Sequence, residues 1–221
     1  ATDGVFQLES AGMRQMLTQL RPESIDDVIA AIALYRPGPM DSIPKYIEAR
    51  HNGSSPTYKI PMLKPILDVT YGCIVYQEQV MRIFRDVAGY SLGHADIVRR
   101  AISKKKTEVL LSEKEAFIKG AAERGVSEAD AVELFDDIES FANYAFNKSH
   151  AAAYAVISYR TAYLKAHYLT EYNCALLASV QNSPSKISEY ISECKRHGIS
   201  VLPPDINHSM TDFHVENKNI R

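Results

Sequence analysis

The chain has 221 residues, of which 46% are hydrophobic and 24% are charged, and its formal net charge at pH 7 is −2. This length and composition predict a globular protein with a substantial core; a disordered chain, a membrane-spanning helix of about 18 apolar residues and a basic, apolar signal segment are excluded. The odd number and wide spacing of Cys73, Cys174 and Cys194 indicate reduced thiols in a cytoplasmic protein rather than a disulfide framework or a zinc site.

Two helices are predicted near the start of the chain. Ser10 opens the first helix and Pro22 closes it. Ser24 and Asp27 have the spacing of a capping box at the start of the second helix, which a Pro-Gly-Pro turn after Arg36 ends. Because this turn is stiff, it holds Arg36 in a defined direction. Arg36 is therefore either an anion ligand or an ordinary surface arginine at a helix C-terminus, where the dipole favours it.

The sequence pattern changes twice after the second helix. Residues 51–70 are rich in Pro, Ser, Asn and Thr, which predicts a loop. Residues 71–76 are β-branched and aromatic, which predicts a short strand, and helical spacing resumes after them. Glu78 lies in the first turn of the helix that follows. It is either a catalytic carboxylate or, more simply, an acidic residue that the helix dipole stabilises.

Residues 99–106 hold five positive and no negative charges. A helix is predicted over residues 93–106, with Arg99 and Arg100 on its polar face. Its apolar face is expected to consist of Ile97, Val98, Ala101 and Ile102. Guanidinium groups bind phosphate oxygens in bidentate fashion. The two arginines therefore predict that this face binds a triphosphate or nucleic-acid phosphates. A solvated cationic face or a patch for a partner protein is the alternative.

Two further helices, separated at Gly125, are predicted over residues 107–145. The second helix is acidic on one face, through Asp130, Glu133 and Asp137. Such a face repels nucleic acid and indicates a solvated outer surface. A metal site is a weaker alternative, because no known ligand spacing is present.

A long helix is predicted from about residue 150 to about Gln181. Asn147 or Ser149 can cap it, and its first free N–H groups, with Lys148 beside them, then form a pocket suited to an anion. A polar stripe continues along the helix through His150, Tyr154, Ser158, Thr161 and Lys165. The stripe begins at a helix N-terminus and contains no acidic residue, which favours an anionic ligand over a polar face that merely meets water.

The last part of the chain begins with an amphipathic helix, predicted over residues 185–197. A turn at residues 203–207 marks a boundary, and residues 213–215 predict the beginning of a strand. We therefore expect a helical domain over residues 1–200 and the truncated start of a following region over residues 201–221. Because the chain lacks an initiator Met and ends abruptly, we expect it to be a piece of a larger protein.

Six stretches of the chain, in this order, resemble the fingers region of the C-family bacterial replicative polymerases, the α subunits of DNA polymerase III. These stretches are Gly4 to Ser10, Arg36 to Pro39, Tyr76 to Met81, Arg99-Arg100 with Lys104 to Lys106, Phe146 to Tyr154, and Pro203 to Asn207. They extend over almost the whole chain, so together they are highly specific. The residue sequences of the stretches around Tyr76 and Lys148 resemble the DnaE type of the family rather than the PolC type.

With this resemblance, the expected fold is mainly α: a multi-helix fingers domain with one short β segment near residues 71–76. In the family, the paired arginines and the histidine of the Asn-Lys-Ser-His motif approach the incoming triphosphate. The resemblance assigns Arg99, Arg100 and His150 to the triphosphate. With the residues of the predicted helix start, the expected triphosphate-binding group is Arg99, Arg100, Asn147, Lys148 and His150. The residues expected to contact DNA or phosphate are Arg36, Lys104, Lys105, Lys106 and Lys165.

The resemblance also implies a cofactor and partners outside this chain. The family transfers a phosphoryl group with two Mg²⁺ ions, held by palm carboxylates in an Asp-x-Asp type arrangement that this sequence lacks. We therefore expect no catalytic residue and no metal ligand here, and an isolated chain that is inactive. The expected partners are primer-template DNA, deoxynucleoside triphosphates, the palm domain and, through other regions, replisome subunits such as the sliding clamp, with no membrane. The alternatives are a noncatalytic helical nucleic-acid-binding module and a protein-interaction module of the replisome.

Overall fold

The computed structural model describes residues 2–52, 56–104, 107–142 and 145–221. This part of the chain is mainly α, as predicted, and none of its helices combines the length and the apolar character that a membrane crossing requires. The helices are α1 (Ala11–Leu20), α2 (Ile25–Leu34), α3 (Ile43–His51), α4 (Lys64–Leu67), α5 (Gln77–Ala88), α6 (Leu92–Ser103), α7 (Thr107–Ala122), α8 (Glu128–Ala142), α9 (Lys148–His167), α10 (Leu169–Ser179) and α11 (Pro184–Arg196). Strands β1 (Val215–Glu216) and β2 (Asn219–Ile220) pair antiparallel, with Val215 opposite Ile220.

The chain divides into two compact units. Unit 1 consists of Ala1–Gln15 and Val156–Arg221, and unit 2 is the continuous segment Met16–Ala155. Helices α1 and α9 therefore contribute residues to both units. Residues 201–221 belong to unit 1, and their assignment to a separate following region stays a prediction.

The first two helices begin where the sequence predicts. At α1, Ser10 Oγ accepts a hydrogen bond from Met13 N at 3.2 Å. At α2, Ser24 Oγ accepts from Asp27 N at 3.2 Å, while Asp27 Oδ2 accepts from Ser24 N at 3.1 Å. Because each residue satisfies the other's backbone N–H group, the predicted capping box is confirmed.

The core of unit 2 is built around α5, which packs against α6, α7 and α8. Phe84 of α5 meets Phe117 of α7 and Phe135 of α8 edge to face, with ring centroids 5.2 and 6.2 Å apart. Helices α5 and α7 approach so closely that a Cβ atom on Gly120 would lie 2.2 Å from the backbone oxygen of Ala88. A larger residue at position 120 would force these two helices apart.

The two helices predicted on either side of Gly125 are confirmed as α7 and α8. The acidic face of α8 is solvated, as predicted, since Glu133 and Asp137 are exposed. Two exposed ion pairs lie on this side of unit 2: Glu133 Oε2 is 2.6 Å from Lys59 Nζ, and Asp136 pairs with Lys114.

The β segment predicted over residues 71–76 is reduced to a single residue, since only Tyr76 forms a β-bridge, with Phe146. Tyr71 and Gly72 adopt positive φ angles of 54° and 85°, which interrupts an extended strand. The apolar side chains in this stretch are buried in a turn rather than in a strand. The sheet of this mainly α fold is formed by β1 and β2.

The long helix predicted up to about Gln181 is broken at Tyr168, where φ is −135° and ψ is 55°. The break redirects the chain so that α10 packs against α11. The core of unit 1 forms there, from Cys174, Leu177, Tyr190, Cys194, Ile199 and Ile220. The loop predicted over residues 51–70 is also corrected, because residues 61–70 form α4 with a 3₁₀ turn on each side.

The predicted apolar face of α6 is confirmed in part. Val98 and Ala101 are buried, as predicted, and Ala95 is buried with them. Ile97 was also expected to be buried, but it is 64% exposed, and the side chain of Ile102 lies outside the described part of the structure. Small residues allow α6 to pack closely on α5, and the larger Ile97 points away from that contact.

Candidate phosphate-binding site

Helices α5 and α9 begin side by side in unit 2. Phe146, two residues before α9, donates its N–H group to Val75 O at 3.1 Å and accepts from Gln77 N at 2.9 Å. The side chain of Gln77 donates to Ala145 O at 3.0 Å. These bonds form the parallel bridge between Tyr76 and Phe146, so the positive ends of two helix dipoles lie together.

A buried amide fixes the chain beneath this bridge. Gln79 Oε1 accepts from the backbone N–H groups of Val75 and Tyr76, both at 2.9 Å. Gln79 Nε2 donates to Thr70 Oγ1 at 2.7 Å and to Ile66 O at 3.1 Å. Because all of these groups are buried and paired, the start of α5 is held rigidly.

Two side chains satisfy the first donors of α9. Asn147 Oδ1 accepts from His150 N at 2.9 Å, so Asn147 rather than Ser149 is the cap. Glu78 of α5 accepts from Lys148 N at 3.1 and 3.0 Å through its two oxygens, and from Asn147 Nδ2 at 3.1 Å. The predicted anion pocket at this helix start therefore already holds the carboxylate of Glu78.

A cation lies over each aromatic ring of the bridge. The guanidinium carbon of Arg36 is 4.1 Å from the centroid of the Phe146 ring, and Arg36 Nε donates to Ala33 O at 3.0 Å. Partial burial lowers the pKa of Arg36 below its ordinary value. Lys148 Nζ lies 5.3 Å from the centroid of the Tyr76 ring. Both distances are within the range of a cation–π interaction, so the rings help to position the two charges.

His150 lies at the exposed surface beside these groups. Its ring meets the Phe146 ring edge to face, with centroids 5.4 Å apart, and lies 4.3 Å from the ring of Tyr154. Lys148 extends toward α2, where its Nζ is 3.5 Å from Asp26 Oδ1. The contacts within unit 2 thus bring Arg36, Asn147, Lys148 and His150 together around Phe146.

Arg99 and Arg100 form a second cationic group, on α6. Arg99 Nη2 lies 2.7 Å from Asp96 Oδ1, and Arg100 Nη2 lies 2.6 Å from Asp96 Oδ2. The hydrogen bonds from Arg99 lower the pKa of Asp96. The side chain of Arg100 is 66% exposed, so its guanidinium remains accessible from solvent. Lys104 is exposed just after α6, and the predicted contacts at Lys105 and Lys106 lie outside the described residues.

The lower half of the predicted polar stripe binds the start of the chain, within unit 1. Ser158 Oγ donates to Phe6 O at 2.8 Å, and Phe6 N donates to Thr161 Oγ1 at 3.1 Å. Lys165 is buried and donates to Asp3 O at 2.6 Å and to Glu193 Oε1 at 2.7 Å. In this arrangement the ammonium group of Lys165 serves internal structure and does not face solvent.

The structure also shows contacts that the sequence patterns missed. Asp96 holds the two arginines together, Asp26 faces Lys148, and Glu78 joins two helix starts. Only Asp96 had a local signal, because it lies three and four residues before its partners on one helix. In the part of the chain that the structure describes, no group of three or more His, Cys, Asp or Glu side chains could hold a metal ion.

These features define a mainly helical domain that presents cationic side chains around paired helix starts. Residues 1–125 match the family model of the "Bacterial DNA polymerase III alpha subunit finger domain". The chain belongs to this family.

Curated relatives extend the similarity beyond residue 125. The DNA polymerase III subunit alpha of Thermus aquaticus is 52% identical over 225 residues, covering 99% of this chain and 18% of the relative. The corresponding subunit of Bacillus subtilis is 50% identical, covering 100% of this chain and 20% of the relative, and that of Aquifex aeolicus is 47% identical, covering 99% and 19%. The chain thus spans about a fifth of the length of these relatives.

Proposed function

We propose that this chain is the fingers domain of a DNA-directed DNA polymerase and that it binds the triphosphate of the incoming deoxynucleotide during DNA synthesis. The observation that carries the proposal is the cluster of Arg36, Lys148 and His150 at the paired starts of α5 and α9. Family membership supports it, because the relatives are named subunits of a DNA polymerase.

Phosphoryl transfer gives the cations of this domain their role. The triphosphate and the departing pyrophosphate carry concentrated negative charge, which preorganised cations stabilise. Lys148, His150, Arg99 and Arg100 offset that charge, and Asn147 keeps the first turn of α9 in place. A proton donated by His150 or by a lysine would assist the leaving group.

The metal ions belong to another part of the enzyme in this proposal. Mg²⁺ would supply positive charge for the phosphate oxygens, and hard cations of this kind need several oxygen ligands. In this proposal palm carboxylates outside this chain would hold Mg²⁺, and closure of the fingers would bring the nucleotide to them.

Primer-template DNA is the second proposed ligand of the cytoplasmic full-length enzyme. Lys104, Lys105, Lys106 and Arg36 would contact its phosphates, which adds affinity and salt dependence without reading the base sequence. Lys165 is left out of this group because its ammonium is buried against Glu193. The palm domain adjoins these surfaces, and the sliding clamp binds elsewhere on the subunit.

The test is the double substitution Arg99→Ala/Arg100→Ala in the full-length subunit. Removing two cations that act in the transition state should lower kcat/KM for deoxynucleotide incorporation about 100-fold or more. Single-nucleotide extension of a primer measures the effect. Arg82→Ala/Arg85→Ala is a matched control, because these two arginines also share one carboxylate, Asp86, on the neighbouring helix α5.

The control variant should keep kcat/KM within about twofold, as expected for exposed charges away from the site. Near-normal incorporation by the Arg99/Arg100 variant would reject the triphosphate role. If that variant lost only affinity for primer-template DNA, measured by titration in the absence of nucleotide, the basic face would instead be a DNA backbone track. That outcome would favour the noncatalytic nucleic-acid-binding alternative for this surface.

A further inference from the structure

Glu78 occupies an unusual place in unit 2, between the first turns of two helices. It belongs to the first turn of α5, and it accepts hydrogen bonds from Lys148 N and Asn147 Nδ2 at the start of α9. Its partners lie 69 and 70 residues further along the chain. A residue that merely complemented the dipole of its own helix would not need these contacts.

The negative charge of the Glu78 carboxylate also suits its position between two helix starts. Each helix start carries a partial positive charge from its unpaired N–H groups, and one carboxylate lies close to both. Hydrogen bonds to an ionised acceptor are roughly twice as strong as neutral ones. Glu78 therefore locks the orientation of the turn that contains Asn147, Lys148 and His150.

From these contacts we infer that Glu78 is a positioning residue for the triphosphate site: it fixes the start of α9 against the start of α5 and so sets the direction of Lys148 and His150. The inference rests on the proposed function, because it assigns a role within the same site. Glu78 acts through the turn and does not itself contact the nucleotide.

Two other roles for Glu78 give different results when it is changed. If it only stabilised α5, its loss would lower stability and leave the nucleotide KM unchanged. If it competed with the triphosphate as a resident anion, its loss would lower the nucleotide KM. A positioning residue predicts the third result, a raised nucleotide KM with little change in affinity for primer-template DNA.

The first experiment compares Glu78→Ala and Glu78→Gln in the full-length subunit. Alanine removes all acceptors, and we expect it to raise the deoxynucleotide KM about 10-fold, the loss typical of hydrogen bonds to a charged group. Glutamine keeps one acceptor oxygen, so we expect a rise of about threefold or less. The dissociation constant for primer-template DNA should change less than about twofold in both variants. Glu139→Gln, an exposed carboxylate on α8, is the control and should leave both quantities unchanged.

A second experiment keeps the inference testable if Glu78→Ala fails to fold. Asn147→Asp preserves the cap acceptor for His150 N but removes the amide donor and places two carboxylates together. We expect a raised nucleotide KM from this variant. Adding Glu78→Gln supplies a new donor toward Asp at position 147, so the double variant should recover at least half of the loss.

The outcomes separate this inference from the proposed function. An unchanged or lowered nucleotide KM in Glu78→Ala, or no recovery in the double variant, would overturn the positioning role. The proposed function would survive that result if Arg99→Ala/Arg100→Ala still lowered kcat/KM for incorporation about 100-fold or more. If neither the arginine variant nor the Glu78 variants altered nucleotide use, the triphosphate site itself would be rejected.

Discussion

The two ends of helix α9 carry lysines in opposite environments. Lys148, at the first residue, is 36% exposed and has a carboxylate 3.5 Å away, on Asp26. Lys165, near the end, is 8% exposed and donates to Asp3 O and Glu193 Oε1 at 2.6 and 2.7 Å. The same residue type thus provides an accessible charge at the start of the helix and a buried, hydrogen-bonded ion pair near its end.

The difference shows what a cation needs in order to bind a ligand. An exposed ion pair contributes less than about 1 kcal/mol, so a phosphate can displace the partner of Lys148 at little cost. Removing one member of a buried pair costs several kcal/mol, because the other charge is left without compensation. Accessibility and weak pairing, rather than the presence of a lysine on a polar stripe, therefore distinguish the proposed binding end of α9 from its other end.

The largest expected effect tests the buried end. Lys165→Ala leaves Glu193 buried, with Arg196 and His197 as its remaining charged partners among the described residues, and it should lower the free energy of unfolding by about 3–5 kcal/mol. Urea unfolding of the 221-residue chain, followed by circular dichroism, measures the change. Lys195→Ala on α11 is the matched control, since Lys195 is exposed, and it should change stability by less than about 0.5 kcal/mol. If the two variants were equally stable, Lys165 would not be required for stability, and the proposed difference between the two ends of α9 would be wrong.

A smaller effect follows from the titration of Glu193. Burial alone would raise the pKa of this carboxyl group, but hydrogen bonds from Lys165 and Arg196 outweigh burial and lower the pKa from 4.5 to about 2. Because the folded pKa lies below the unfolded one, the stabilisation is complete above about pH 5 and is lost as the pH falls toward 2. The stability difference between the unsubstituted chain and Lys165→Ala should therefore shrink between pH 5 and pH 3 in thermal unfolding. A difference that stayed constant over this range would show that the pair does not carry the stability.

The smallest expected effect concerns the exposed end. Asp26→Asn removes the partner of Lys148 and should lower the deoxynucleotide KM of the full-length subunit about twofold, since an exposed pair is weak. Steady-state incorporation at low ionic strength measures the change. Screening should remove the difference at about 0.5 M salt. A raised KM at low salt would mean that Asp26 orients Lys148 for the nucleotide instead of competing for it.

Local signals in the sequence were sufficient for many elements of the fold. The capping box of Ser24 and Asp27, the helix start at Ser10 and the break at Gly125 each depend on residues a few positions apart, and all three are confirmed. Of the two predicted caps of α9, Asn147 and Ser149, the first is the one that the structure shows, also within one turn of its partner. Helix starts, caps and breaks depend on the residues within one turn, so they can be predicted from a single sequence.

Other features depend on contacts between distant segments. Nothing beside Tyr168 marks the break of the long helix, which the packing of α10 on α11 requires. The stripe along α9 looked continuous, but Lys165 is covered by Asp3 and Glu193, which lie 162 and 28 residues away. The contact of Glu78 with the start of α9 was missed for the same reason. Periodicity identifies a face of a helix, and only the tertiary fold determines what covers it.

The discontinuity of unit 1 has a consequence for synthesis of the protein on the ribosome. Val5 and Leu8 are buried in the folded chain, yet all of Met16–Ala155 is translated before the residues that hold the first segment, such as Thr161 and Lys165, exist. Unit 2 is continuous and has its own core, so it can fold during that interval. The segment Ala1–Gln15 reaches its folded contacts later than unit 2, because Ser158, Thr161 and Lys165 must be translated before Phe6 and Asp3 can bond to them.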